Sequence, residues 1–311
     1  MMFASLATEI WHLYLTQGLL SGIGSSLVWF PCISAPQQWF SKRRGLAVGI
    51  AISGSGFGGL VFNNLVQAAL SSVGYRWALR IVGFISLILV GITALTVRPL
   101  NTPPKVKNPI NLGPFRNFQF DLLFAIQFVT NFAFNVPSGF LPSYANYLGL
   151  NPWIGSNLSA ILSGLMIVGK ISSGYLSDYV GRANVTFICI LMTGVMCLAV
   201  WLTATTAASV WAFAALFGLF GGGYMTMLPA VLAQVVGLEE IEPSNGLLFF
   251  GWFFGGLFGS PITAALIDEN GPDGPRYDHA IIYAGVLMVF SGLLALAVRI
   301  LQGGFNPFRK V

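Results

Sequence analysis

Long apolar runs separated by short polar stretches set the pattern of this chain. Each complete run is about 20 residues or more, the length an α-helix needs to cross a roughly 30 Å hydrocarbon core at about 1.5 Å per residue. Residues 1–11 form an apolar stub that is too short to cross. Complete spans are predicted at 13–36, 45–70 and 77–97. A polar stretch rich in proline, 98–118, then interrupts the pattern. Six further spans follow at 119–148, 155–178, 184–203, 208–237, 244–267 and 279–301. The predicted fold class is all-α: a polytopic membrane helix bundle of nine spans plus an N-terminal stub of a tenth. The stub and three spans occupy residues 1–97, a linker follows at 98–118, and a six-helix half occupies 119–311. Pro31, Pro137, Pro229 and Pro261 fall inside spans and mark kinks, which membrane helices tolerate when neighbours satisfy the freed carbonyls.

Composition excludes a water-soluble fold. Hydrophobic residues make up 55% of the chain and charged residues 8%, against roughly 25% charged in a soluble domain. Mean hydropathy is +0.77. The expected setting is a multi-pass position in a lipid bilayer, with the plasma membrane favoured. A net charge of +5 does not point to nucleic acid, because the basic residues gather between apolar runs. If residues 42–44 lie in the cytosol, strict alternation puts eleven of the fifteen Lys and Arg there, as positive-inside topology requires. Cys32, Cys189 and Cys197 lie within apolar runs and read as packing residues, with no disulfide or metal spacing.

Two motifs stand out against this apolar background. Residues 174–182, Gly-Tyr-Leu-Ser-Asp-Tyr-Val-Gly-Arg, close one span and precede the next. Asp178 falls where a helix meets water, Gly181 permits a tight turn, and Arg182 can pair with a carboxylate or with terminal carbonyls. The pattern resembles the signature loop of the major facilitator superfamily of secondary transporters. Residues 39–54, Trp-Phe-Ser-Lys-Arg-Arg-Gly-Leu-Ala-Val-Gly-Ile-Ala-Ile-Ser-Gly, resemble the stretch leading into the fifth helix of monocarboxylate transporters, the fungal members above all. The resemblance covers essentially the whole chain. It implies twelve helices in two six-helix halves and begins within the third, so the chain is expected to be truncated at its N-terminus. Residues 1–97 would then be an incomplete N-terminal half. Gly174, Asp178, Gly181 and Arg182, with Lys42, Arg43 and Arg44, form the expected gating group. Gly54-x-Gly56-x-x-Gly59 matches a dinucleotide fingerprint, but that fingerprint needs a strand before it. Inside an apolar run it reads as close helix packing.

No enzyme is predicted. There is no His-Glu-x-x-His and no Cys-x-x-Cys, and His12 and His279 fall near span ends. No catalytic residue, metal site or cofactor is expected. What remains is a sparse polar lining. Lys170 lies eight residues before Asp178, about 12 Å deeper along a helix, near the midplane. A cation there is expensive and is by default functional. No acidic residue is placed at its level, so the group either loses its proton or faces water and an anion, the second being the expected state; the alternative is a lysine paired inside the bundle that only holds helices together. In monocarboxylate transporters the corresponding position resembles a cavity arginine that holds the substrate carboxylate. Here lysine keeps the charge without the fork, and Met166 stands where the family carries an acidic partner. Gln127, Asn131 and Asn135, at i, i+4 and i+8, form one polar stripe, open to two readings: substrate contact, or glue between helices. Asn63, with Asn64 and Gln67, forms a weaker cluster. The candidate substrate-binding residues are thus Lys170, Gln127, Asn131, Asn135 and Asn63.

Two classes of function follow. The first is a secondary active transporter of small organic solutes, monocarboxylate-like anions, working by alternating access; the resemblance implies a proton as co-transported ion. The second is a non-transporting membrane protein, a truncated remnant or sensor that keeps some of the fold. The expected partners are a small-molecule substrate and the lipid bilayer. No feature of the sequence sets an oligomeric state.

Overall fold

The computed structural model describes the chain apart from residues 99, 101–111, 238–239, 268–275, 305 and 307–311, and apart from the side chains of 63, 64, 67, 152, 153, 156 and 242. The described residues are helical nearly throughout, and nine helices among them are long and apolar enough to cross a membrane. In chain order these are α1 (Ile10–Trp39), α2 (44–73), α3 (75–96), α4 (Phe118–Tyr147), α5 (Pro152–Val180), α6 (Arg182–Trp201), α7 (Ala207–Val236), α8 (Ile241–Leu266) and α9 (Asp278–Gly303).

Local chemistry sets the ends. The first span starts at Ile10, slightly earlier than expected, because His12 Nδ1 accepts the backbone N–H of Glu9 at 3.3 Å and starts the helix there. Residues Phe3–Leu6 before it form one 3₁₀ turn. Between α2 and α3 the chain turns at Gly74, with φ of 77°, a left-handed conformation that glycine adopts without steric cost. At the start of α4 the Asn117 side chain accepts the N–H of Gln119 at 3.0 Å, with Asp121 in the first turn, where the helix dipole favours an acid. Most of the 98–118 linker lies outside the described residues; Gly113–Arg116 form a 3₁₀ turn at its end.

The bundle is organised around α5 and α7. α5 lies between α7 and α2; α6 packs on α9 and α7; α4 packs on α8 and α9. α7 is the most enclosed helix, with 72% of its most apolar stretch buried, against 11% in α1 and α3. The exposed leucines, isoleucines and phenylalanines of α1 and α3 are what a helix presents to lipid. Packing inside depends on small residues, because lipid supplies no hydrophobic drive between helices. A Cβ on Gly49 of α2 would stand 2.5 Å from the Lys170 carbonyl oxygen, and one on Gly174 of α5 would stand 2.5 Å from the Gly45 carbonyl oxygen. On the other face of α5, a Cβ on Gly222 of α7 would stand 2.5 Å from the Met166 carbonyl oxygen. The 54–59 glycine pattern lies in continuous helix, and Gly56 presses on Ile167 of α5. All three cysteines are free.

This seam makes a clear prediction. Gly174→Val should destabilise the folded protein by about 1–3 kcal/mol through overpacking, read as a lower midpoint in thermal unfolding of detergent-purified protein. Gly54→Ala, where a Cβ meets no described atom within 4 Å, should leave the midpoint unchanged or raise it slightly, since alanine favours helix. Equal midpoints for the two variants would show that the helices do not meet along this seam.

Candidate functional site

Two sites emerge, one at the basic end of the bundle and one inside it. At the basic end, α5 delivers Asp178 to the first turn of α2. Its Oδ1 accepts the N–H of Gly45 at 3.0 Å, and its Oδ2 accepts the N–H of Leu46 at 3.1 Å. The first N–H groups of a helix have no partner within it, and the dipole there favours negative charge. Asp178 therefore acts as a cap supplied by another helix, through charge-assisted bonds. Only glycines at 45 and 174 allow the backbones to come this close. Gly181, with φ of 107° and ψ of 145°, turns the chain from α5 into α6. Ser41, Lys42, Ser177, Asp178, Gly181 and Arg182 line a cleft of about 570 Å³ together with Gln234. Arg43 occupies the position before α2, and Arg44 donates from Nε to the Phe40 carbonyl at 3.2 Å. The residues singled out at 42–44 and 174–182, from opposite sides of the linker, thus meet at one place.

The inner site is a narrow cleft with about 20 Å³ of free volume, room for about one water. Trp29 of α1 and Ile52 of α2 form one side, and Gln127 of α4 with residues of α7 and α8 the other. The far wall holds Tyr224, Met225, Leu228 and Pro229 of α7 with Leu248, Phe249 and Trp252 of α8. Phe30 meets Phe249 edge-on with ring centroids 5.6 Å apart, closing the wall behind the cavity. Counting along the helices, these residues lie roughly 9–18 Å from the basic ends, in the middle of the membrane. The Tyr224 hydroxyl donates to Gln127 Oε1 at 2.7 Å, and both side chains are 4% exposed. Pro229 has no N–H, so the carbonyl of Met225 lacks its helical donor beside the same cavity.

The polar stripe on α4 divides. Gln127 reaches the cavity, whereas Asn131 donates from Nδ2 to the Trp252 carbonyl at 2.5 Å and ties α4 to α8. Asn135 donates to Asn131 Oδ1 at 3.4 Å. Lys170 is 2% exposed and sits between α5 and α2, not in the wall of this cavity. Its ammonium donates to the Ser55 hydroxyl at 2.7 Å, and Ser55 donates in turn to the Ile52 carbonyl at 2.8 Å. Among the described residues no carboxylate pairs with Lys170. The side chain of Asn63, like those of Asn64 and Gln67, lies outside the described residues. Three groups were not legible in the sequence. Tyr224 is one hydroxyl in a glycine-rich apolar helix, and Ser55 is a small residue among others. Arg299, which the spacing places at a cytosolic span end, is buried and donates from Nε to Asn184 Oδ1 at 2.8 Å, joining α9 to α6. Among the described residues no cluster of His, Cys, Asp or Glu is arranged to hold a metal ion.

Comparison with known proteins adds the family. The family model described as Major Facilitator Superfamily matches residues 1–217 and 123–304. The chain belongs to the major facilitator superfamily. Similar curated proteins are fungal. The MFS transporter asaE of Aspergillus flavus is 33% identical over 98% of this chain and 69% of its own length. The MFS-type transporter opdF of Penicillium oxalicum is 32% identical over 100% of this chain and 73% of its own. The aspyridones efflux protein apdF of Emericella nidulans is 31% identical over 97% of this chain and 61% of its own. These relatives are transporters by description, and the chain is an integral multi-pass membrane protein of that superfamily.

The cap makes a direct prediction. Asp178→Ala should speed hydrogen exchange at the amides of Gly45 and Leu46 about tenfold or more, since bonds to a charged acceptor stabilise by roughly 1.5–3 kcal/mol. Exchange measured by mass spectrometry on the purified protein should show the change confined to the start of α2. Unchanged exchange there would remove Asp178 as the cap.

Proposed function

We propose that the protein is a secondary transporter of small organic solutes that works by alternating access. The cavity between α1 and α2 on one side and α4, α7 and α8 on the other supports this reading. In it, 1–97 and 119–311 move as two bodies around a midplane site. The bond from Asp178 to the start of α2 is the latch between them on the cytosolic side, with Lys42, Arg43, Arg44, Gly174, Gly181 and Arg182 around it. Gln127 touches the solute, and Asn131 and Asn135 hold α4 and α8 in register. The aromatic wall suits a largely apolar solute, and the efflux described for apdF suits export across the plasma membrane.

A second reading is a monocarboxylate-like anion moved with a proton. It is favoured by Lys170, an ammonium held deep in α5 on a serine hydroxyl with no carboxylate among the described residues. During alternation α2 and α5 would separate and open Lys170 to the solute.

Initial uptake rates in reconstituted vesicles test both readings, across a panel of neutral aromatic metabolites and carboxylates. The first reading expects saturable movement of at least one aromatic solute. No flux above empty vesicles for any solute would overturn transport in favour of a non-transporting membrane protein. For an anionic solute, Lys170→Ala should abolish uptake while membrane insertion persists, and Lys170→Arg should retain some of it. Parent-like anion uptake by Lys170→Ala would end the second reading.

The latch has its own signature. Asp178→Asn should lower turnover severalfold with little change in KM, because the carboxylate lies about 12 Å from the midplane along α5. A large rise in KM at normal turnover would place Asp178 in solute contact instead.

A further inference from the structure

We propose that Gln37 and Asn245 keep the cytosolic contact between α1 and α8 ready to open, because closing it buries two side-chain amides that gain no hydrogen bond in return. The proposal rests on the alternating-access reading for its part in transport, and its test reads the opening itself. Gln37 lies two residues before Trp39, the end of α1, and Asn245 lies four residues after Ile241, the start of α8. Both are therefore at the basic end of the bundle. Gln37 is 0% exposed and Asn245 1% exposed. Among the described residues neither the oxygen nor the nitrogen of either amide has a hydrogen-bond partner. The Ser244 hydroxyl, next to Asn245 in the chain, is buried in the same condition.

Helical periodicity puts both amides on the face where the two helices meet. Phe30 of α1 meets Phe249 of α8 edge-on. Gln37 follows Phe30 by seven residues, about two turns, and Asn245 precedes Phe249 by four, about one turn. α1 runs toward the basic end and α8 runs away from it, so both amides lie on the cytosolic side of the aromatic contact. Ile33, one turn before Gln37, packs with Val48 and Ile52 of α2, and Phe249 lies against them. α1 belongs to the helices before the linker and α8 to those after it. Two bodies that part on the cytosolic side must break this contact.

The energetics give the contact its direction. A buried donor or acceptor left without a partner loses its water and gains nothing, whereas an apolar group of the same shape carries no such cost. Four amide atoms bear that cost while the contact is closed, and they regain water when it opens. Phe30, Ile33 and Phe249 supply the attraction that closes the contact, and the amides limit it. Amides that glued the helices together would act with the opposite sign.

The test uses the full chain in lipid nanodiscs. Ser34, on the same face and 3% exposed, is replaced in Ser34→Cys to place a reporter thiol in the contact. Cys32→Ala removes the nearby native thiol, and Cys189 and Cys197 are buried elsewhere. The rate of modification by a charged, water-soluble methanethiosulfonate, read by mass spectrometry, reports how often the contact opens. Gln37→Met and Asn245→Leu, which keep size without polarity, should each slow modification about tenfold. Gln37→Glu should speed it severalfold, because a carboxyl group is costlier to bury than an amide. Modification at the reporter rate or faster in Gln37→Met and Asn245→Leu would overturn the proposal, and so would a thiol that never reacts in any variant. Shifted rates without flux in vesicles would remove the transporter reading and leave this one standing. Flux with unshifted rates would do the reverse.

Discussion

The Asp178 carboxylate at the start of α2 is the interaction on which the arrangement of the basic end depends. The first turn of any helix carries N–H groups that its own backbone cannot satisfy. In most proteins a neighbouring side chain or water takes them. Here an acid from α5, 133 residues away in sequence from Gly45, takes two of them. This joins the helices before the linker to those after it through backbone N–H groups that no substitution in α2 except proline can remove. The bond reaches only because glycines at 45, 49 and 174 let two helix backbones nearly touch. Charge and close packing are thus one device: without the glycines the carboxylate would stand too far off, and without the carboxylate the seam would leave a bare helix end.

The same logic runs through the interior. Polar groups inside a bilayer must be satisfied within the protein. Lys170 meets Ser55, Asn131 meets the Trp252 carbonyl, and Arg299 meets Asn184. Each joins two different helices, so the scarce polar side chains serve as cross-links in a structure where apolar contact alone does not choose partners. The satisfaction is incomplete: among the described residues the side-chain amides of Gln37 and Asn245 are buried without a hydrogen-bond partner, while Gln127 accepts from Tyr224 beside a narrow cleft between helices from both sides of the linker.

The sequence by itself determined the class, the number of spans and, to within a few residues, their limits. Apolar runs of membrane length leave little choice, because a helix is the one open-ended structure that hides its backbone polar groups from lipid. The turn at Gly181 was legible for a local reason, since positive φ is a property of one residue and its neighbours, whereas the break between 70 and 77 was read from the gap in the apolar pattern and only the structure places it at Gly74. The importance of Asp178 was legible from its charge, but not its partner. That partner is the start of another helix, and nothing in the spacing of 42–44 and 174–182 states that they meet. Gln127, Asn131 and Asn135 share one stripe in sequence, yet they divide between a cavity and a helix contact. Their periodicity records a common face; what opposes that face is set by α7 and α8. Lys170 shows the limit most plainly. Its depth could be counted from Asp178, whereas its placement between α5 and α2, on a serine hydroxyl, belongs to tertiary packing alone. Depth along a helix is a local quantity, and the direction a side chain faces across a bundle is a relation between helices that only their assembly decides.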